Sequence, residues 1–355
     1  MASEGWASLS PDIAAHELRD LGRELAAPVA LTGATGFVGG HVLDALRVVG
    51  VPRRVLVRGT GRLPGGPFPG EEVVEGSLDD EAALRTLVRG AGTVMHVAGL
   101  VRAARAADFH RANAAGTARL LQAMAEAAPG ARIIYVSSLA AAGPSAAIPG
   151  RTPDDPPAPV SAYGRSKLRG EEHVRDWIGP WVILRPPAIY GPRDRDVLQF
   201  FRLAGRGVVP LPAGERWVTV AHVADVVRAV LAAGQRGTNQ VLHLGEPAPR
   251  RLDELIAALA RAGGLKRPRM PAVPAVLLRA AGLAGDAAQR LGARSVAMTS
   301  DKACELLARH WTAVTAPSLA ALELAGVVPF EVGAGATWEW YRQHGWVSRG
   351  TIRAA

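Results

Sequence analysis

The stretch PVALTGATGFVGG, residues 28–40, decides the fold. Its first five residues read as a short strand, glycines follow at Gly33, Gly36 and Gly39, and a helical pattern then runs over 37–48. In such a turn the first glycine permits the bend, the second lets the backbone approach a pyrophosphate, and the third lets the helix pack closely. The stretch therefore predicts a dinucleotide-binding unit; the alternative is an ordinary glycine-rich turn.

Further β-rich runs alternate with helical patterns along the chain, at 53–58, 72–76, 93–99, 132–138, 181–187 and 240–245. This alternation is typical of parallel βαβ units and predicts an α/β fold with a Rossmann-type doubly wound parallel sheet. We expect a dinucleotide-binding domain at 28–185 plus 222–245. A smaller, discontinuous substrate-binding lobe is expected at 186–221 plus 246–347, over the carboxyl ends of the strands. Residues 1–27 are expected to add a helix or arm.

Composition narrows the class of protein. The 355 residues carry a net charge of +9 and a single cysteine. The basic residues are mostly isolated arginines, so nucleic acid is not an expected partner. Cys304 lies in a helical pattern beside leucines and cannot form a disulfide framework, and the N-terminus lacks the apolar run of a signal peptide. These features predict a cytoplasmic protein, and no metal site is expected.

The apolar stretch at 271–292 needs separate treatment. Arg279 and Asp286 interrupt it, which argues against a membrane-spanning helix and leaves room only for weak peripheral membrane contact.

The strongest catalytic pattern is SAYGRSKL at 161–168, which places Tyr163 and Lys167 four residues apart on one helix face. Tyrosine titrates near ~10, so moving a proton at neutral pH requires a nearby positive charge. Lys167, together with an oxidised nicotinamide ring, would supply it. The alternative is an ordinary pair on an amphipathic helix.

Two further polar residues are candidates for the same site. Ser138 closes a predicted strand, where its hydroxyl could hold a substrate carbonyl; the alternatives are a capping role or Ser137 in its place. Asn113 could carry an amide–water link to Lys167 or simply pack within a helix.

Arg58 ends the second predicted strand. A carboxylate there would bind the ribose diol of NAD, whereas an arginine would pair with a 2′-phosphate. The residue therefore predicts NADP(H), with NAD as the alternative. The other interpretation is a solvent-exposed arginine near Arg54 and Arg62.

Together these motifs resemble the extended short-chain dehydrogenase/reductase family, also called the NAD-dependent epimerase/dehydratase family, over roughly 28–345. The matching segments are Thr32 to Gly39, HVAG at 96–99, NAAGT at 113–117, Ser138, Tyr163 with Lys167, RPPAIYGPRD at 185–194 and HVADV at 222–226. The resemblance implies that Tyr163 is the acid/base, that Lys167 lowers its pKa and binds the nicotinamide ribose, and that Ser138 orients the reacting oxygen.

The resemblance also implies a set of cofactor contacts: Thr32, Gly33, Thr35, Gly36, Phe37, Val38, Gly39, Arg58, Ser77, Leu78, Val97, Ala98, Gly99, Tyr163, Lys167, Pro186, Ala188 and Ile189. One position departs from the family pattern, since Ser77 stands where an aspartate usually reaches the adenine. Substrate contacts are expected at Ser138, Tyr190 and Arg193. Many relatives dimerise through helices matching 105–127 and 161–178, so a homodimer is expected.

Three reaction classes share such a site. Dehydratases of the family carry an Asp-Glu pair after the catalytic hydroxyl, but Leu139 and Ala140 follow Ser138 here. Sugar-nucleotide epimerases usually carry an asparagine where this chain has Ala188, and the loss of that amide removes a polar contact to the sugar diphosphate. The paired prolines before Ala188 resemble 3β-hydroxysteroid dehydrogenases and dihydroflavonol-4-reductase-like ketone reductases.

We therefore expect a small-molecule substrate that is mainly apolar, steroid-like or polyketide-like, on which a secondary alcohol and a ketone are interconverted. The segment 271–284 could line or cover an apolar pocket, or be an ordinary core helix. The alternatives are a sugar-nucleotide epimerase and a cofactor-bound subunit without catalytic activity.

Overall fold

The computed structural model describes residues 15–59, 63, 65–66, 68–103, 105–291, 293, 296 and 298–347. The helices are α1 (Ala15–Gly22), α2 (Phe37–Val49), α3 (Glu81–Val88), α4 (Ala106–Phe109), a π-helix (His110–Ala115), α5 (Gly116–Ala127), α6 (Leu139–Ala142), α7 (Ala162–Arg175), α8 (Leu198–Gly205), α9 (Val223–Ala232), α10 (Leu252–Ala262), α11 (Ala275–Arg290), α12 (Ser300–Leu307), α13 (Ala316–Ala321) and α14 (Phe330–Gln343). The strands are β1 (Val29–Thr32), β2 (Arg53–Val57), β3 (Glu71–Glu75), β4 (Thr93–His96), β5 (Arg132–Val136), β6 (Trp181–Arg185), β7 (Ala188–Tyr190), β8 (Leu211–Pro212), β9 (Trp217–Val218), β10 (Val220–His222), β11 (Gln240–His243), β12 (Arg250–Arg251), β13 (Ala272–Val273) and β14 (His310–Trp311).

The main sheet has seven parallel strands in the order β11-β6-β5-β4-β1-β2-β3. The predicted Rossmann-type sheet is therefore confirmed. The predicted strands after β1 all end one to three residues earlier than expected, among them those that end at His96, Val136 and Arg185. Their last residues leave the ladder and form the loops over the carboxyl edge of the sheet, which is where ligands bind in this architecture.

Both faces of the sheet are covered by helices, because alternate residues of a strand point to opposite sides. Leu31 packs in a cluster with residues of α1, α2 and α9, whereas its neighbour Ala30 packs in a second cluster with α3 and α5. The strands are consequently buried on both faces, as their continuous apolar runs predict.

The described part of the N-terminal extension forms a helix on the face of the sheet that α2 and α9 also cover. Leu18 of α1 is fully buried, Glu17 accepts a hydrogen bond from Arg228 Nε at 2.7 Å, and Gln235 Nε2 donates to the Leu21 carbonyl. The expected added helix is present over 15–22; the first 14 residues of the predicted extension lie outside the described residues.

A further apolar cluster lies in the segments predicted to form the substrate-binding lobe and is built from α8, α10 and α14. The Phe201 ring lies 5.0 Å from the rings of both Trp338 and Tyr341. Helix α11 is not a core helix, since only Gly282 and Gly285 are buried in it, so that alternative for 271–284 is wrong. Among the helices that the structure describes, none has the length and apolar character needed to cross a membrane.

Candidate active site

The turn between β1 and α2 has the geometry that its glycines predict. Gly33 has φ 83°, and a Cβ there would lie 2.6 Å from the Ala98 backbone nitrogen. A Cβ at Gly39 would lie 2.0 Å from the Gly33 carbonyl oxygen, so only glycine allows α2 to pack this closely. At Gly36 the nearest such contact is 3.3 Å, and the residue is exposed.

This turn fits a dinucleotide. No side chain caps α2 at Gly36, so the first-turn N–H groups stay available to an anion. Thr35 is exposed beside Gly36, and Phe37 and Val38 are half-buried at the same end of the helix. A pyrophosphate would find backbone donors and no Cβ in its way.

A buried polar chain ties the glycine turn to the neighbouring strand. Thr32 Oγ1 lies 2.7 Å from His96 Nδ1 and accepts the Ala98 N–H at 3.2 Å. His96 Nε2 lies 3.0 Å from Thr117 Oγ1. Burial and then the charge of Lys167 lower the pKa of His96 to about 3, so the ring stays neutral. Sequence reasoning quoted His96 only as part of a motif and missed this positioning role.

The loop after β4 lies beside these groups. Val97 and Ala98 are half-buried against Gly33, and Gly99 is exposed. A Cβ at Gly99 would lie 3.3 Å from Lys167 Nζ, so the predicted cofactor segment comes close to the predicted catalytic lysine.

Tyr163 lies in the first turn of α7. Ser161 caps this helix by accepting the Gly164 N–H at 3.0 Å, and Asp301 of α12 accepts the Ala162 N–H at 2.7 Å. The Tyr163 ring is half-buried, with its centre 5.9 Å from that of Phe109. Asp301 thus fixes the start of the helix that carries Tyr163, which the sequence alone did not indicate.

Lys167 is buried one turn further along α7. Its Nζ donates to the Val136 carbonyl at 2.7 Å and lies 4.4 Å from the centre of the Tyr135 ring. Burial lowers the pKa of Lys167 to about 7, and the carboxylate of Glu171 opposes that shift. The ammonium is therefore held at the end of β5, next to the predicted catalytic serine.

Ser138 and Tyr163 meet at this edge of the sheet. Burial raises the pKa of Tyr163 to about 12, and a hydrogen bond with the Ser138 side chain acts in the opposite direction. Ser138 Oγ also accepts the Ala140 N–H at 3.1 Å, so it caps α6 as well. The capping role and the predicted site role are compatible.

The rival serine points elsewhere. Ser137 Oγ donates to Glu171 Oε1 at 2.6 Å, and Glu171 forms a buried two-pronged ion pair with Arg185 at 2.8 and 2.6 Å. The geometry therefore favours Ser138 over Ser137 as the serine of the site.

Asn113 lies in the π-helix and is buried. Its side chain bonds the Leu100 backbone at both the N–H and the carbonyl, and its amide nitrogen also lies 2.9 Å from Ser166 Oγ. The amide therefore connects the loop after β4 to α7, and its proposed water link to Lys167 stays a prediction.

The remaining predicted cofactor residues are distributed along the same edge. Arg58 is exposed directly after β2. Ser77 Oγ accepts the Asp79 N–H at 3.2 Å, so this hydroxyl serves a local turn, and Leu78 packs on Gly116.

The turn after β6 completes this edge. The Pro186 carbonyl accepts the Leu139 N–H at 2.8 Å, which joins this turn to the segment that follows Ser138. Ala188 is exposed and Ile189 is half-buried.

Two predicted substrate contacts, Tyr190 and Arg193, have partners within the protein. Tyr190 is buried, its ring packs against His222 and Phe330, and its hydroxyl lies 3.5 Å from the Phe330 carbonyl oxygen. Arg193 forms an ion pair with Asp44 of α2. Tyr190 is thus part of a buried aromatic cluster and Arg193 of an ion pair, and their contacts with a substrate stay predictions.

The chain is similar to known proteins over most of its length. The model of the "NAD dependent epimerase/dehydratase family" matches residues 29–245. A "Ceramide reductase" of Caulobacter vibrioides is 37% identical, covering 91% of this chain and 97% of its own. A "4-hydroxy-2-methyl-3-oxo-4-farnesyl-3,4-dihydroquinoline-1-oxide ketoreductase" of Stigmatella aurantiaca is 30% identical, covering 66% of this chain and 73% of its own.

Among solved structures, "MoeE5 in complex with UDP-glucuronic acid and NAD" is 25% identical with a TM-score of 0.69, covering 90% of this chain and 100% of its own. The protein is thus an enzyme of the extended short-chain dehydrogenase/reductase type, which argues against the alternative of a subunit without activity. The chain belongs to the NAD-dependent epimerase/dehydratase family.

Proposed function

We propose that this enzyme interconverts a ketone and a secondary alcohol on a lipid-like molecule, with reduction of the ketone as its main direction. The observation that carries the proposal is the meeting of Tyr163 with Ser138 beside the buried Lys167. These groups provide a proton donor, a hydrogen-bond donor for an oxygen, and a positive charge at the carboxyl edge of the sheet.

Each side chain has a distinct task in this reaction. When bound, the nicotinamide supplies the hydride that adds to the carbonyl carbon. Ser138 holds the carbonyl oxygen, and the Tyr163 phenol transfers its proton to that oxygen, which yields the alcohol. Lys167 stabilises the phenolate until it is reprotonated from solvent. Burial raises the pKa of Tyr163 in the protein without cofactor, so its phenolate needs the positive charge of Lys167 during the reaction.

The substrate class follows from what the site lacks and from the relatives. Ala188 is exposed at the start of β7, where an amide would be needed for a sugar diphosphate. The two relatives named above are a ceramide reductase and a ketoreductase of a farnesyl-bearing ring. Both names support a ketone attached to a long hydrocarbon group rather than a nucleotide sugar.

The cofactor has two candidate forms. The glycine turn suits the pyrophosphate of either, and Arg58 lies exposed where a 2′-phosphate would come in NADP(H). The family description names NAD, and MoeE5 binds NAD. We propose NADP(H) on the strength of Arg58, with NAD as the alternative.

A sugar-nucleotide epimerase is the second candidate, because MoeE5 was solved with UDP-glucuronic acid. The two reactions differ in how they use the cofactor: a ketone reductase consumes one reduced cofactor per product, whereas an epimerase returns it to its starting state.

This difference gives the test. The purified protein is incubated either with a long-chain 3-oxo-amide and NADPH or NADH, or with UDP-glucuronic acid and NAD⁺ or NADP⁺, because an epimerase must first oxidise its substrate. The absorbance of the reduced cofactor and the products are followed. We expect one cofactor oxidised per alcohol formed, and no reaction of the UDP-sugar. Conversion of the UDP-sugar without net cofactor change would establish the epimerase instead.

A further inference from the structure

We infer that the outer face of α11 docks the enzyme on an anionic phospholipid bilayer, one helix away from the helix that carries Tyr163. The docking surface itself is inferred from the residues of this helix. Its use for delivering substrate rests on the proposed function.

The outer face of α11 is apolar and open to solvent. Val276, Leu277 and Leu283 are 67%, 58% and 66% exposed, and Leu291 directly after the helix is 89% exposed. Val276 and Leu283 are seven residues apart and therefore share one face. Isolated apolar residues on a surface need no explanation, but a row of them along one helix marks an interaction site.

The opposite face holds the helix in this orientation. A Cβ at Gly285 would lie 1.8 Å from the Met298 carbonyl oxygen, and one at Gly282 would lie 3.0 Å from the Ser300 backbone. Asp286 accepts the Ser300 N–H at 3.1 Å, so the helix turns its one acidic side chain inward. The glycine face needs this close contact, which leaves the leucines facing outward.

The charge around this face suits an anionic surface. Arg279 and Arg290 are exposed on α11, and neither forms an ion pair within the described residues. Lys266 and Arg269 are exposed in the segment that leads into the helix. Arginines beside an apolar helix face are typical of helices that lie in a bilayer interface with anionic lipids.

A second copy of the chain fits this face less well. In a symmetric pair through α11 the same arginines of both copies would approach each other, and like charges across an interface oppose association. An anionic bilayer can bury the leucines in its interface and pair the arginines with its phosphate groups at the same time.

The surface lies one helix away from the catalytic tyrosine. Helix α11 packs on the start of α12, and Asp301 of α12 accepts the Ala162 N–H at 2.7 Å, next to Tyr163. Docking through α11 would therefore bring the active site to the bilayer in which a lipid-like ketone resides.

The test measures co-sedimentation of the full-length protein with phosphatidylglycerol-rich vesicles and with pure phosphatidylcholine vesicles. We expect preference for the anionic vesicles, lost at high salt. The variant L277S/L283S should bind about tenfold less tightly or worse. In the variant R279Q/R290Q, affinity for the anionic vesicles should fall about fivefold per arginine, and binding to phosphatidylcholine vesicles should not change.

The matched control is Ile178→Ser, which removes an apolar side chain that is 88% exposed, ahead of β6 at the opposite edge of the sheet. It should bind like the unchanged protein. Absence of vesicle binding, or equal loss in the control, would overturn the inference. So would sedimentation velocity showing that L277S/L283S breaks a dimer while vesicle binding is unaffected.

Two substrates separate this inference from the proposed function. L277S/L283S should reduce a short-chain, water-soluble ketone at the normal rate but lose turnover on a long-chain ketone presented in vesicles. Vesicle binding without any ketone reduction would leave the docking surface in place and reject the proposed function. Ketone reduction without vesicle binding would support the proposed function and reject the docking surface.

Discussion

The carboxylate of Glu171 accepts the Ser137 hydroxyl at 2.6 Å, and both side chains are buried. The same carboxylate pairs with Arg185, so Ser137 belongs to a structural network between β5, β6 and α7. Its neighbour Ser138 faces the other way, towards Tyr163. Adjacent serines at the end of one strand thus have different tasks, and substitutions should separate them.

Ser138→Ala should lower turnover by about 10², as expected for loss of a hydrogen-bond donor to a reacting oxygen, and should leave cofactor affinity unchanged. Ser137→Ala should keep most of the turnover but lower the free energy of unfolding by about 1–3 kcal/mol, because Glu171 loses a donor in a buried site. Steady-state kinetics and urea unfolding of both variants check this. The reverse pattern would exchange the roles of the two serines.

Tyr163→Phe should lower turnover by about 10² or more while cofactor affinity stays nearly the same, since the ring remains and only the proton donor is lost. Single-turnover kinetics and fluorescence titration measure the two quantities. Activity equal to that of the unchanged enzyme would rule out Tyr163 as the acid.

Lys167→Ala should weaken both cofactor binding and turnover, because one ammonium is assigned to the ribose and to the phenolate. The same titration and kinetics apply. Unchanged cofactor affinity would remove the ribose role and leave only the effect on Tyr163.

Glu171→Gln should alter the pH profile. Lys167 has a pKa of about 7 in the free enzyme, lowered by burial and supported by the Glu171 charge. Removing that charge lowers the lysine pKa further, so the fall of kcat/KM on the alkaline side should move to lower pH. Glu172→Gln is the matched control, because Glu172 pairs with Arg169 on the exposed side of α7. Identical profiles in both variants would contradict the role of Glu171.

Arg58→Ala should weaken the binding of NADPH and leave the binding of NADH almost unchanged. A charge-assisted contact to the 2′-phosphate contributes roughly 1.5–3 kcal/mol, or about 10- to 150-fold in Kd. The preference for NADPH should also shrink as salt rises. An equal loss of affinity for both cofactors would instead place Arg58 on the adenine. If the unchanged enzyme binds NADPH no more tightly than NADH, NAD would be favoured as the cofactor.

Local patterns predicted the sheet and the core of the site. The glycine turn, the strands and the Tyr163–Lys167 pair depend on residues close in sequence, whose spacing reports directly on strand and helix geometry. The choice of Ser138 over Ser137 depends on the contact of Ser137 with Glu171, which joins β5 to α7 and which no spacing in the sequence indicates.

The contacts made by the segments of the predicted substrate-binding lobe could not be predicted in the same way, because they join residues that are distant in sequence. Asp301 holds the start of α7 from well over a hundred residues away. Tyr190 looked available to a substrate, but Phe330 from the last described helix buries it. The outward turn of α11 depends on the close approach of Gly282 and Gly285 to the segment before α12, which no periodicity in α11 reveals.

The most direct measurement of the proposed reaction follows the hydride itself. The enzyme is supplied with a long-chain ketone and with NADPH or NADH in which both hydrogens at nicotinamide C4 are replaced by deuterium, and the product is analysed by mass spectrometry. We expect one deuterium on the carbinol carbon of the alcohol, and almost none with Tyr163→Phe. A product without deuterium, or no alcohol at all while a UDP-sugar is epimerised, would contradict ketone reduction at this site.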